Sequence, residues 1–131
     1  MKNQMNSVCV LFAILIFGFF TQPAFAQDAT KVDSTHYKVE FENDQVRVLR
    51  ITYGPGEKSV MHEHPEGVAV FLTDAHGKFT LPDGTTQEMT GKAGQTIWAP
   101  AGKHLPENTG NAPFEVILVE MKVKPAATKK N

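Results

Sequence analysis

Three histidines are the side chains of this sequence whose type and spacing point to chemistry. His62 and His64 are one residue apart, and side chains two positions apart on a β-strand project from the same face. Two imidazoles side by side offer neutral nitrogen lone pairs to one cation, a donor set that suits zinc, copper, iron or nickel. Two ligands alone would hold a metal weakly. The candidate for a third is His104, in a second segment punctuated by glycine and proline.

The segments around these histidines have the pattern of short β-strands. Residues of alternating polarity or with β-branched side chains lie at 32–42, 45–53, 67–72, 94–99 and 114–123. Turn residues such as Gly, Pro, Asn and Asp separate them, and no segment has a convincing 3.6-residue apolar period. The sequence therefore predicts an all-β protein, a barrel or sandwich. The longest strand, at 114–123, is expected inside a sheet because an exposed apolar edge would favour aggregation.

Residues 1–26 are predicted to be a signal peptide. An apolar run at 8–20 follows Lys2 and is too short for a comfortable membrane span, and Ala24 and Ala26 form a small-x-small cleavage site. An uncleaved membrane anchor is the alternative. Cleavage before Gln27 would yield a periplasmic or secreted protein, with a barrel domain at 27–122 and a polar tail at 123–131.

Composition limits what the exported chain can do. The single cysteine, Cys9, would leave with the signal peptide, so thiolate chemistry by the protein is excluded. Without Lys2, twelve basic and fourteen acidic side chains remain, which gives a formal charge of −2. This near balance gives no reason to expect nucleic acid as a partner, or a membrane once the signal is removed.

The two histidine segments resemble the two conserved motifs of the cupins, which are small β-barrels. Five residues separate Gly56 from His62, and His62-Glu63-His64 matches the His-x-His of the first motif. The second motif is matched in order by Gly94, Pro100, Gly102, His104 and Asn108. Only one residue, Lys103, lies between Gly102 and His104, where the family has two. Both motifs in sequence order are a specific signal, whereas His-x-His alone would be weak.

The resemblance implies a single cupin-type antiparallel β-barrel, also called a double-stranded β-helix or jelly roll. It implies a divalent transition metal (iron, manganese, zinc, nickel or copper) held by His62, His64 and His104. The family's glutamate ligand would lie at position 68 or 69, where this sequence has Val68 and Ala69. Glu66, in the preceding turn, is the candidate replacement. A small-molecule ligand or substrate and a homodimer are also implied.

Three hypotheses for the function are compatible with these residues. The first is an exported metal-binding cupin that acts on a small organic substrate, dioxygenase-like or isomerase-like, because three neutral ligands leave the metal its full charge and open positions. The second is a non-enzymatic barrel that binds a small ligand, with or without metal. The third is a structural or interaction module in which the histidines are incidental. The residues alone do not name a substrate.

Other side chains carry weaker predictions. Arg47 and Arg50 differ in parity along their strand, so at most one points inward, where it could hold a substrate carboxylate. Trp98 and Phe71 are expected in the core. His76 is expected to be an exposed turn residue.

Overall fold

A computed structural model describes residues 27–122. The predicted signal peptide (1–26) and tail (123–131) lie outside these residues. The described part contains one short helix, α1 (Ala29–Val32), whose N-cap Asp28 accepts a hydrogen bond from the backbone N–H of Thr30 at 2.9 Å. The strands are β1 (Tyr37–Glu42), β2 (Val46–Tyr53), β3 (His62–His64), β4 (Gly67–Phe71), β5 (Ala75–Thr80), β6 (Thr86–Gly91), β7 (Thr96–Ala99), β8 (Gly102–Asn108) and β9 (Phe114–Met121).

The strands form two antiparallel sheets, which confirms the predicted all-β barrel. One sheet has the order β1-β2-β9-β4-β7 and the other has the order β3-β8-β5-β6. The long strand β9 pairs with β2 on one side and with β4 on the other, so it lies inside its sheet as expected. Within residues 27–122, no helix has the length and apolarity needed to cross a membrane.

The core lies on the inward faces of the five-stranded sheet. Alternation along the strands places Leu49 and Tyr53 of β2 opposite Leu118 and Phe114 of β9, and all four are buried. Phe71 of β4 is also buried, as predicted. These side chains fill the space between the two sheets, and that space is where the histidines point.

Two predictions about single side chains need correction. Trp98 is 56% exposed and does not belong to the core, because β7 is an edge strand and Trp98 pairs with Val68, which points away from the barrel interior. His76 is exposed as predicted, but it lies within strand β5 and not in a turn.

Strand β8 was not predicted, because its prolines gave the segment the composition of a loop. Pro106 lacks the N–H that a ladder position normally donates. In the structure β3 pairs only with residues 102–104 of β8, so no β3 residue lies opposite Pro106 to require that donor. Its carbonyl instead accepts a hydrogen bond from the backbone N–H of Ser59 at 3.0 Å. The strand continues past the proline and fixes the direction of His104.

Candidate metal site

Strands β3 and β8 position the three histidines. His62 and His64 both point inward from β3, whereas Glu63 between them is exposed. His104 on β8 lies directly opposite His62 in the antiparallel register. One ring nitrogen from each histidine lies within 4.8 Å of the others. The structure therefore brings together the three residues that the sequence singled out, and metal binding by them stays a prediction.

Hydrogen bonds fix which nitrogen of two histidines is available. Nδ1 of His62 lies 2.8 Å from the carbonyl oxygen of Val60, and Nδ1 of His64 lies 2.7 Å from Oε1 of Glu120. A carbonyl and an ionised carboxylate can only accept, so each Nδ1 carries a proton. In the neutral form of each ring, Nε2 then has a free lone pair that faces the other histidines.

The two free lone pairs lie close together. The Nε2 atoms of His62 and His64 are 3.1 Å apart, and in two neutral imidazoles these unprotonated acceptors repel each other unless a cation, either a proton or a metal ion, lies between them. Burial, together with repulsion from a protonated His64, lowers the pKa of His62 to about 4, so His62 is a poor site for that proton at neutral pH. Nitrogen ligands about 2.0–2.1 Å from one shared metal lie roughly 3 Å apart. The spacing of the His62 and His64 nitrogens therefore fits a shared transition metal.

Aromatic rings enclose the other side of the cluster. The ring of Phe79 stacks on His104 with centroids 4.4 Å apart, and the ring of Tyr37 meets His62 edge-on at 4.7 Å. Burial, with repulsion from His64 and His62 when these are protonated, lowers the pKa of His104 to about 3. His62 and His104 are thus both neutral at pH 7, which is the form in which imidazole binds a metal.

A chain of charged side chains supports His64 from behind. The second carboxylate oxygen of Glu120 accepts a hydrogen bond from Nε of Arg47 at 2.6 Å, and Nη1 of Arg47 donates to Asp28 at 2.6 Å. Burial would raise the pKa of Glu120, but the hydrogen bonds from His64 and Arg47 outweigh it and lower the pKa. Glu120 is 1% exposed, so it is a buried, ionised carboxylate that orients a candidate metal ligand.

Sequence reasoning missed Glu120, although a signal was present. The inward positions of β9 are Phe114, Val116 and Leu118, and Glu120 continues the same parity with a charge. A carboxylate on the apolar face of a strand requires a buried partner.

Gly67 lies opposite Glu120, and a Cβ there would be 2.1 Å from a carbonyl oxygen of β9, so only glycine allows this close approach of β4.

The arginine hypothesis is half right. Arg47 points inward and Arg50 outward, as their parity predicted. Arg47 is already paired with the carboxylates of Glu120 and Asp28, so its guanidinium is not free to hold a substrate carboxylate. Arg50 pairs at the surface with Glu40 and Glu115.

An apolar wall occupies the position of the family's glutamate. Ala69 is buried and lines the cavity next to His64 and His104, whereas Val68 takes the opposite direction. Glu66 is exposed in the turn before β4 and lies outside the histidine group. In the part of the chain that the structure describes, the candidate ligands are therefore the three histidines alone.

A cavity of ≈ 380 Å³ opens beside the histidines, between the two sheets. His64 and His104 form part of its wall. Most of the remaining wall is apolar and includes Ile51, Phe71, Phe79, Met89, Val116 and Leu118. Tyr37 and Tyr53 also line this space, and their hydroxyl groups are 2.9 Å apart. Such a cavity, mainly apolar with a few convergent polar groups, is typical of a small-molecule site.

Comparison with solved structures finds similar barrels. A cupin domain protein from Bordetella pertussis is 24% identical, covering 66% of this chain and 92% of that chain, with a TM-score of 0.61. A double-stranded β-helix domain protein from Klebsiella pneumoniae is 22% identical, covering 67% and 84%, with a TM-score of 0.50. A cupin superfamily protein from Desulfitobacterium hafniense is 16% identical, covering 66% and 76%, with a TM-score of 0.50. Neither protein-family models nor curated proteins give a match.

Proposed function

We propose, from the premise that this chain has the cupin fold, that it is an exported protein that binds a divalent transition metal and acts on a small organic molecule in the barrel cavity. One observation supports metal binding above the others. The two Nε2 atoms of His62 and His64 are 3.1 Å apart, and both are acceptors when the two rings are neutral with Nδ1 protonated. Among the described residues, this pair and His104 form a set that a cation would satisfy.

Each residue of the site has a distinct role in this proposal. His62, His64 and His104 would hold the metal, and the carbonyl of Val60 and the carboxylate of Glu120 would keep two of the rings oriented. A metal bound by three neutral ligands keeps its full charge and can polarise a substrate oxygen or lower the pKa of bound water. An isomerase-like reaction could use this Lewis-acid chemistry, and a dioxygenase-like reaction would also require a redox-active metal such as iron.

A non-enzymatic ligand-binding barrel is the second candidate. Among the described residues, no aspartate or glutamate lines the cavity, so the wall offers no carboxylate as a general base. Product formation or oxygen uptake with candidate substrates would favour the enzyme. Tight binding of the same compounds without turnover would favour the binding protein.

We expect the coordination positions not filled by histidine to be open to exogenous anions. Three protein ligands leave room for water, which azide can displace. Azide added to the cobalt-substituted protein should therefore change the visible spectrum. Glu66→Gln should leave both the metal content and the azide response unchanged, because Glu66 is exposed and outside the histidine group. A spectrum indifferent to azide would argue against an open site.

Export with cleavage after Ala26 remains part of the proposal. Cleavage there would retain the residues that contact the site. The carbonyl of Gln27 accepts a hydrogen bond from the backbone N–H of Glu63 at 3.0 Å, and Asp28 pairs with Arg47. We expect the intact mass of protein recovered from the periplasm or medium to correspond to a chain that begins at Gln27. A mass that retains residues 1–26 would overturn the prediction.

A further inference from the structure

We infer that the molecule bound beside the histidines has an apolar body and a single acidic oxygen group that faces the metal. The inference rests on the proposed function, because the single charged group of the ligand would bind the metal. It goes further by excluding ligands with a second charge. Three features of the cavity support it: its apolar wall, the lack of a free charge among its inward-pointing side chains, and the direction from which it reaches the histidines.

The wall of the cavity is apolar on both sheets. Phe71, Val116 and Leu118 contribute from one sheet, and Phe79 and Met89 from the other. The volume of ≈ 380 Å³ is near the lower end of the roughly 300–1,000 Å³ found for small-molecule sites. Apolar surface of a ligand would leave water on entering this space, and that burial favours binding in proportion to its area.

The inward-pointing side chains of the cavity offer no partner for a second charge on the ligand. Arg47, the inward arginine, is held by Glu120 and Asp28 at 2.6 Å each. Lys103 lines the cavity but is exposed, and it lies opposite the outward-facing Glu63 in the β3–β8 register. A second carboxylate on the ligand would be desolvated without a counter-charge, and an ammonium group would find no carboxylate in the wall.

Only one side of the histidine cluster faces the cavity. His64 and His104 line the cavity, whereas His62 is fully buried behind them. Ala69 also lines the wall, so a methyl group lies where the family's glutamate would add a negative charge. A ligand entering here meets a cationic centre at one end and apolar side chains elsewhere. This polarity matches a molecule with an acidic oxygen at one end and an apolar body.

Three carboxylates test the inference on the cobalt-loaded, full mature chain. Acetate, 4-methylbenzoate and terephthalate share one carboxylate donor and differ in the group attached to it, and the visible cobalt spectrum reports binding. We expect 4-methylbenzoate to bind at least about tenfold more tightly than acetate, because its ring leaves water. We expect terephthalate to bind at least about tenfold more weakly than 4-methylbenzoate, because a carboxylate replaces the methyl group in an apolar space.

A variant provides the converse test. Met89→Lys introduces a cation into the wall on a strand that carries none of the histidines, and Met89→Leu is its apolar control. In Met89→Lys, the ratio of the affinity for 4-methylbenzoate to that for terephthalate should fall by at least about fivefold. In Met89→Leu, this ratio should not change. An intact azide response would verify that each variant still holds an open metal site.

The outcomes separate the two proposals. If azide alters the spectrum but 4-methylbenzoate binds no more tightly than acetate, or terephthalate binds as well as 4-methylbenzoate, the inference about the ligand is wrong and the metal site stands. If cobalt is not bound, or if azide has no effect, the proposed function itself fails. If the affinities of the three carboxylates follow the predicted order, and Met89→Lys reduces the preference for 4-methylbenzoate, both the proposed function and the inference about the ligand are supported.

Discussion

His104→Ala is expected to weaken the binding of zinc or cobalt by more than about 100-fold. Loss of a group that merely orients a metal ligand costs about 10–100-fold in affinity, and loss of one of three direct ligands should cost more. His62→Ala and His64→Ala should have effects of the same size, because all three nitrogens lie in one cluster. Competition with a chromophoric chelator measures the affinity.

His76→Ala is the matched control for these substitutions. His76 lies on β5 with a side chain that is 61% exposed, and its ring is 4.0 Å from Glu88 at the surface. The metal affinity should not change. A His104→Ala protein that binds metal as tightly as the parent would exclude His104 from the site, and would imply that the shortened spacing after Gly102 has removed it.

Glu120→Gln is expected to lower both metal affinity and stability. Glu120 contacts Arg47 at 2.6 Å and His64 at 2.7 Å. The uncharged amide of glutamine would neither neutralise Arg47 nor accept a charge-assisted hydrogen bond from His64. We expect a 10–100-fold loss of metal affinity, typical of a lost outer-shell partner. Removal of one partner from a buried ion pair should lower the free energy of unfolding of the metal-free protein by about 3 kcal/mol.

Glu115→Gln provides the control on the same strand. Glu115 pairs with Arg50 at 3.0 Å, but both side chains are more than a third exposed. Its loss should change the free energy of unfolding by less than about 1 kcal/mol and leave metal affinity unchanged. Urea unfolding of the metal-free proteins gives the stabilities. Equal metal affinity in Glu120→Gln and the parent would mean that Glu120 does not orient His64.

Local patterns were sufficient to predict the face on which the first two histidines lie. The two-residue period of a β-strand sends His62 and His64 to one side, whatever the rest of the fold. His104 needed more, because strand β8 is hidden by Pro106. Its glycine- and proline-punctuated segment made it a candidate, and the resemblance to the cupin motifs linked it to the other two histidines. The register between β3 and β8 sets it opposite His62 despite the missing residue before it.

The support behind the histidines could not be predicted from local patterns. Arg47 and Glu120 are 73 residues apart in sequence and meet only because β2 and β9 are neighbours in the sheet. Asp28 joins them from the segment before α1, where no strand or helix pattern is visible. Contacts of this kind depend on strand order and register, which composition and periodicity do not determine. The exposure of Trp98 depends in the same way on β7 lying at a sheet edge.

The metal content of protein exported natively, and purified without a tag or a chelator, tests the central claim most directly. Elemental analysis should find close to one divalent transition-metal ion per chain, and a variant with alanine at positions 62, 64 and 104 should have lost it. A folded parent protein that contains no more metal than this triple variant, and takes up neither zinc nor cobalt when they are supplied, would contradict the claim.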